Sequence, residues 1–139
     1  IRLSHSGARV AMVIDGHVYI AAVAQSSSGD KRIVNAREVG PEVSGSALSL
    51  DWNMDGSLIV GTSSSQSPVW RIEQDGSSAS TMPTGNITAP VVAVASSPTK
   101  LFITDSHAML ELPSTVMDET NWREVSGLQG RRSSPIVSN

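Results

Sequence analysis

Residues 9–24 read RVAMVIDGHVYIAAVA, two apolar runs of strand length joined by the dipeptide Asp15-Gly16. An Asp-Gly pair between apolar runs is typical of a β-hairpin, because both residues readily adopt the positive φ angles of a tight turn. Asp55-Gly56 and Asp75-Gly76 repeat this signal further along the chain. No window carries apolar residues at the spacing of an amphipathic helix, so the sequence predicts an all-β protein.

The hairpin belongs to a longer unit that occurs three times. Its second strands begin near Val10, Leu58 and Leu101, which are 48 and 43 residues apart. A four-stranded propeller blade occupies about 40–50 residues, so this spacing predicts about three four-stranded blades of a β-propeller. The chain is predicted to be a single domain over residues 1–139, with blades at approximately 1–40, 44–84 and 88–127.

The end of the chain repeats the start of a blade. Residues 134–138 are predicted to form the inner strand of a further or closing blade. Complete propellers contain about four to eight blades, so the chain is interpreted as a partial propeller or a fragment. Its open sheet edges invite pairing, either by self-association of copies or with another part of a longer protein.

Composition argues against several classes of function. The net charge is −3, and the basic residues are scattered, so no nucleic-acid-binding surface is predicted. No run approaches the roughly 18 apolar residues of a membrane-spanning helix. The chain has no cysteine, which removes disulfides, thiolate metal sites and thiol nucleophiles.

The residues that resemble catalytic or metal-binding groups have a simpler interpretation. Asp105, Ser106 and His107 are adjacent, and adjacent residues in a turn point in different directions, so they are predicted to form a polar turn rather than a catalytic triad. His5 and His17 do not pair with His107 at metal-ligand spacing. We therefore predict no enzyme activity, no metal and no cofactor.

Two residues remain as candidates for a binding surface. Asp51 alternates with Leu50 and Trp52 on a predicted inner strand, so it is predicted to line a central channel. Trp52 and Trp70 are predicted to pack between blades. Trp122 falls on a predicted outer strand and is the best candidate for an aromatic side chain that contacts a partner.

Several stretches resemble one known family. They are Leu3–Val13, Asp15–Ala21, Leu50-Asp51-Trp52 and the closing Gly130–Pro135. Together they are similar to the C-terminal propeller of the actinobacterial lipoprotein LpqB family. The resemblance implies an extracytoplasmic cell-envelope protein, anchored to the cell membrane by a lipidated cysteine outside this chain. It also implies an accessory role to a two-component sensor kinase, through contact with the kinase's extracytoplasmic part.

Two hypotheses about function follow. The first is a non-enzymatic binding module that docks a protein partner. The alternative is a propeller enzyme or small-ligand binder with its site in the central channel, built around Asp51. Convergent charged residues in a pocket of several hundred cubic ångströms would favour a ligand site, whereas a flat, partly apolar patch would favour a protein partner.

Overall fold

The computed structural model describes residues 1–83, 85–113 and 122–125. Within these ranges the chain forms twelve strands and no helix, arranged as three antiparallel four-stranded sheets. The predicted all-β fold with about three blades is therefore confirmed. The predicted inner strand at 134–138 lies outside the described residues.

Blade 1 is built around the hairpin that the sequence predicts. Asp15 and Gly16 have φ angles of 50° and 81°, and they close the turn so that Ile14 pairs with His17. The strands are hydrogen-bonded in chain order. They are β1 (Arg2–Leu3), β2 (Arg9–Ile14), β3 (His17–Gln25) and β4 (Lys31–Val39).

Blades 2 and 3 repeat this order. Blade 2 consists of β5 (Ala47–Trp52), β6 (Leu58–Thr62), β7 (Val69–Ile72) and β8 (Ala79–Thr81). Blade 3 consists of β9 (Ala93–Ser96), β10 (Lys100–Thr104), β11 (Met109–Pro113) and β12 (Arg123–Glu124). The first strand of each blade is its inner strand, and the fourth is its outer strand.

The inner strand of blade 3 starts later than the sequence predicts. The apolar pattern places its start at Pro90, but the pairing of β9 with β10 begins at Ala93. Pro90 has no backbone N–H to donate, and the N–H of Val91 donates instead to the carbonyl of Thr62 in blade 2, at 3.0 Å. The residues before β9 therefore connect blade 3 to blade 2.

The hydrophobic core lies between the blades rather than within one sheet. Ala11 and Ile20 of blade 1 pack with Trp52 of blade 2 in one cluster. Ile59 of blade 2 packs with Leu101 and other residues of blade 3 in the second cluster. All five residues of β6 are buried because both faces of blade 2 are covered, which explains why the strand opens with three consecutive apolar residues rather than an alternating pattern.

The segment before β9 passes close to Gly61 of blade 2. A Cβ atom at this position would lie 2.6 Å from Cγ1 of Val91 and 2.7 Å from its carbonyl oxygen. No larger residue fits without moving the backbone before β9.

Candidate functional site

The inner strands enclose a cleft at the centre of the three blades. β1, β5 and β9 lie side by side in that order. The cleft between them has a volume of about 350 Å³. Its lining includes Ile1, Arg2, Leu48, Ser49, Val92 and Ala93.

The exposed surface of the cleft is mostly polar, but two large apolar side chains are also exposed at it. Leu48 is 42% exposed and Val92 is 48% exposed, although both are large hydrophobic residues on or next to an inner strand. Leu48 falls at the irregularity in the pairing of β5 with β6, between Ala47 and Ser49. Exposed apolar side chains grouped on one surface are typical of a protein contact.

Asp51 connects all three blades beside this cleft. Its Oδ2 accepts a hydrogen bond from the backbone N–H of Ser96 in blade 3, at 2.8 Å. Its Oδ1 accepts from the backbone N–H of Trp52, at 3.0 Å, and lies 3.8 Å from Nε of Arg2 in blade 1. The side chain of Asp51 is 20% exposed. Both carboxylate oxygens are thus engaged in holding inner strands together.

This arrangement bears on the predicted role of Asp51. A carboxylate that is hydrogen-bonded to two main-chain amides and faces an arginine is well suited to fix the spacing of strands. It is poorly suited to act as a general base, because its lone pairs already have partners. A direct role of Asp51 in a functional channel stays a prediction.

The first two tryptophans lie where the sequence predicts. Trp52 is 1% exposed and Trp70 is 8% exposed, and both belong to the cluster between blades 1 and 2. The indole Nε1 of Trp52 donates to the carbonyl of Arg2, at 3.1 Å. The prediction that these two side chains pack between blades is confirmed.

Trp122 requires a correction. It is 2% exposed and packs in the cluster between blades 2 and 3. Its indole Nε1 donates to the carbonyl of Pro83, at 3.3 Å, and its main chain exchanges two hydrogen bonds with the side-chain amide of Asn86. Trp122 was expected to expose its ring to a partner, and its exposure is therefore predicted wrongly. The loop that carries Asn86 covers this residue.

Asp105 organises the turn between β10 and β11. Its Oδ1 accepts from the backbone N–H groups of His107 and Ala108, at 2.7 and 2.9 Å. Its Oδ2 accepts from the backbone N–H of Thr88, at 2.9 Å. The carboxylate thus binds main-chain amides rather than the imidazole of His107, as expected for a polar turn and not for a catalytic triad.

The described part of the chain contains no group of three or more His, Cys, Asp or Glu side chains placed to bind a metal ion. His17 forms a pair with Glu38, with Nδ1 2.7 Å from Oε1, and both side chains are exposed. In the same described ranges, no helix has the length and apolar character needed to cross a membrane.

Sequence reasoning missed an arginine that stacks on Trp52. Cζ of Arg9 lies 5.3 Å from the centroid of the Trp52 ring, and its Nη1 donates to the carbonyl of Gln74. Arg9 is on blade 1, whereas the other two residues are on blade 2. Only the packing of the blades brings them together, so neither composition nor spacing gives a signal for this contact.

Asp55, in the turn between β5 and β6, is held in its ionised form. Burial raises the pKa of this carboxyl, but hydrogen bonds from the side chain and backbone of Ser57 and the nearby guanidinium of Arg71 outweigh it. The pKa of Asp55 therefore lies below its ordinary value. Its Oδ2 is 2.8 Å from Nη2 of Arg71.

Comparison with known proteins identifies similar sequences over almost the whole chain. A family described as "Lipoprotein LpqB beta-propeller domain" matches residues 1–138. Lipoprotein LpqB of Corynebacterium diphtheriae is 47% identical over 137 residues, covering 99% of this chain and 24% of the relative. Lipoprotein LpqB of Corynebacterium jeikeium is 39% identical with the same coverage, and that of Rhodococcus jostii is 39% identical over 138 residues, or 23% of the relative. The chain thus spans about a quarter of the length of these relatives.

Proposed function

The chain belongs to the LpqB lipoprotein β-propeller family, and we propose that it is a non-enzymatic binding module that docks a protein partner through its central cleft. The observation that carries this proposal is that apolar side chains are exposed at the cleft, while the two charged side chains beside it face each other. Leu48 and Val92 are exposed at the cleft, while Arg2 and Asp51 face each other. Such a surface favours apolar contact with a protein over binding of a charged small molecule.

We further propose that the partner is the extracytoplasmic part of a two-component sensor kinase. Support comes from the family, whose members carry the name lipoprotein. A lipid anchor outside this chain would hold the propeller at the outer surface of the cell membrane, where it meets the extracytoplasmic part of such a kinase. The propeller would then contribute an accessory contact to signalling.

The proposal can be tested by measuring binding of the chain to the purified extracytoplasmic domain of the kinase by biolayer interferometry. Replacing Leu48 or Val92 with Ser removes an exposed apolar side chain from the cleft and should weaken binding at least about tenfold if the residue is a hot spot. Ile33 is 51% exposed on β4, outside the cleft lining, so Ile33→Ser serves as a matched control with unchanged affinity.

The outcomes separate the two hypotheses about the cleft. Equal binding by the Leu48, Val92 and Ile33 variants would contradict docking at the cleft. The alternative of a small-ligand binder or propeller enzyme is favoured by the volume of the cleft, about 350 Å³, and by its mostly polar surface. It would gain support if a small molecule stabilised the wild-type chain and the Asp51→Asn variant lost that effect.

A further inference from the structure

We propose that a second pocket, between blades 1 and 2, binds a carboxylate side chain presented by a protein partner. The pocket has a volume of about 190 Å³ and lies where the β1–β2 turn meets the β5–β6 turn. The residues that carry the argument are Ser4, Ser6, Arg9, Trp52, Met54 and Asp55. None of them lines the central cleft.

Arg9 is held in a fixed position in this pocket. Its guanidinium stacks on the Trp52 ring, with Cζ 5.3 Å from the centroid, and Nη1 donates to the carbonyl of Gln74. A guanidinium that is already held by a ring and by a carbonyl loses little conformational freedom when it binds a ligand. Its remaining N–H groups form the planar donor set that matches a carboxylate.

The charges of the pocket favour an acidic ligand. Among the described residues, Arg9 forms no ion pair with a carboxylate, in contrast to Arg2 and Arg71. Asp55 also lines the pocket, but its oxygens are occupied by Arg71, at 2.8 Å, and by the hydroxyl of Ser57, at 2.6 Å. Among the described residues, Arg9 is therefore an arginine of the pocket that has no carboxylate partner of its own.

The surroundings indicate that the carboxylate is carried by a protein. Ser6 is exposed, and its hydroxyl lies 3.3 Å from that of Ser4, so hydroxyl groups line the same pocket as Arg9. Met54 is 48% exposed at the rim and offers an apolar contact next to the charged one. Arginine is enriched at interaction hot spots. An acidic residue with an apolar neighbour on the partner fits both features; this inference rests on the proposed protein-binding function.

The test uses a capped dipeptide, N-acetyl-glutamyl-leucine amide, titrated into the 139-residue chain and followed by NMR at the Arg9 Nε–H and the Trp52 indole N–H. We expect saturable shifts of both signals. N-acetyl-glutaminyl-leucine amide, which lacks the charge, should bind at least about tenfold more weakly, because a charge-assisted hydrogen bond is lost. Acetate should also bind more weakly, because it lacks the apolar neighbour.

Variants assign the effect to Arg9. Arg9→Gln should weaken binding of the glutamyl peptide at least about tenfold, and Arg9→Lys should retain part of it. Arg37 is a matched control, because it is exposed and donates to the carbonyl of Asp75 in the same β7–β8 turn, yet does not line the pocket. Arg37→Gln should leave the affinity unchanged. If Arg9→Gln does not fold, Arg9→Lys and the comparison of the two peptides still decide the question.

Three results would overturn the proposal: equal binding of the glutamyl and glutaminyl peptides, equal loss with Arg9→Gln and Arg37→Gln, or acetate binding as tightly as the peptide. The binding assay with the kinase domain separates this proposal from the function proposed above. Peptide binding without any kinase binding would contradict the proposed partner alone. If the wild-type chain does not bind the glutamyl peptide, and the Arg9→Gln variant binds the kinase domain as tightly as the wild type does, the proposal for the pocket alone is contradicted.

Discussion

Blades 1 and 2 have the same four-stranded antiparallel topology, but only blade 2 of this pair is covered on both faces. The pairs Leu58–Ile72 and Val60–Trp70 of blade 2 occupy the same register as Val10–Ala21 and Met12–Tyr19 of blade 1. In blade 2 all four of these residues are buried against blade 1. In blade 1, Val10 and Ala21 are buried as well, but Met12 and Tyr19 are only half-buried.

The inner strands of the two blades differ even more in how far their apolar side chains are exposed. Trp52 ends β5 and is 1% exposed, whereas Leu3 ends β1 at the corresponding position and is 59% exposed. Ile14 and Ile33, which lie on the same face of blade 1 as Leu3, are also exposed. Apolar character at a position therefore does not determine its burial; the presence of a neighbouring blade does.

The largest expected effect is at the last residue of the inner strand, which is Trp52 in blade 2 and Leu3 in blade 1. Trp52→Ala removes a buried ring and should lower the free energy of unfolding by about 3–5 kcal/mol. Leu3→Ala, the matched control in blade 1, should change it by less than about 0.5 kcal/mol, because the side chain is mostly in solvent. Urea denaturation midpoints measure both, and equal losses would contradict the comparison.

A smaller effect is expected at Asp51, which ties the inner strands. Asp51→Ala leaves the backbone N–H of Ser96 without its acceptor, and Ser96 is 3% exposed, so the loss should be about 1–3 kcal/mol. Asp51→Asn keeps an acceptor oxygen and should cost less. If both variants unfold at the wild-type midpoint, the carboxylate is not needed to hold blade 3 on blade 2.

The corresponding turns of the two blades should respond differently to acid. In blade 2, Asp55 accepts from the backbone N–H of Ser57, while in blade 1 the hydroxyl of Ser6 accepts from the N–H of Ala8. The pKa of Asp55 is lowered from its ordinary value of 3.8, so the ionised form is the one that folding favours. Its contribution is present above that value and is lost as the pH falls through the lowered pKa.

Asp55→Asn should remove this acid sensitivity. Because the side chain is 44% exposed, the effect should stay below about 1 kcal/mol. Urea midpoints measured from about pH 6 down to about pH 3 test the wild type, Asp55→Asn and the control Ser6→Ala. A parallel loss of stability in wild type and Asp55→Asn would assign the acid response to other groups.

The smallest change in stability, below about 0.5 kcal/mol, is expected at the open face of blade 1. We expect Ile14→Ser and Ile33→Ser to weaken self-association of the chain in sedimentation equilibrium, because both side chains are about half exposed on one face. Leu48→Ser, in the central cleft, is the control. A wild-type chain that stays monomeric at micromolar concentration would show that this face does not drive association.

Part of the structure could be predicted from local sequence. Apolar runs and turns predict strands at residues 9–14, 47–52 and 58–62, and β2, β5 and β6 have these bounds, because an Asp-Gly turn or an alternating apolar pattern marks each of them. β9 could not be placed from its pattern, since Val91 is apolar but pairs with Thr62 of another blade. The exposure of Trp122 was misjudged for a similar reason: a distant loop carrying Asn86 covers it.

The sequence alone determined the repeat, the turns and the strands, because hairpin formation depends on residues that are close in the chain. It also showed which residue types were available for a site. Only the tertiary structure decided which apolar residues became core, which stayed at the cleft, and which charges found partners. Arg2 with Asp51, and Arg9 with Trp52, meet across blades, and such contacts depend on packing between sheets that no local pattern encodes.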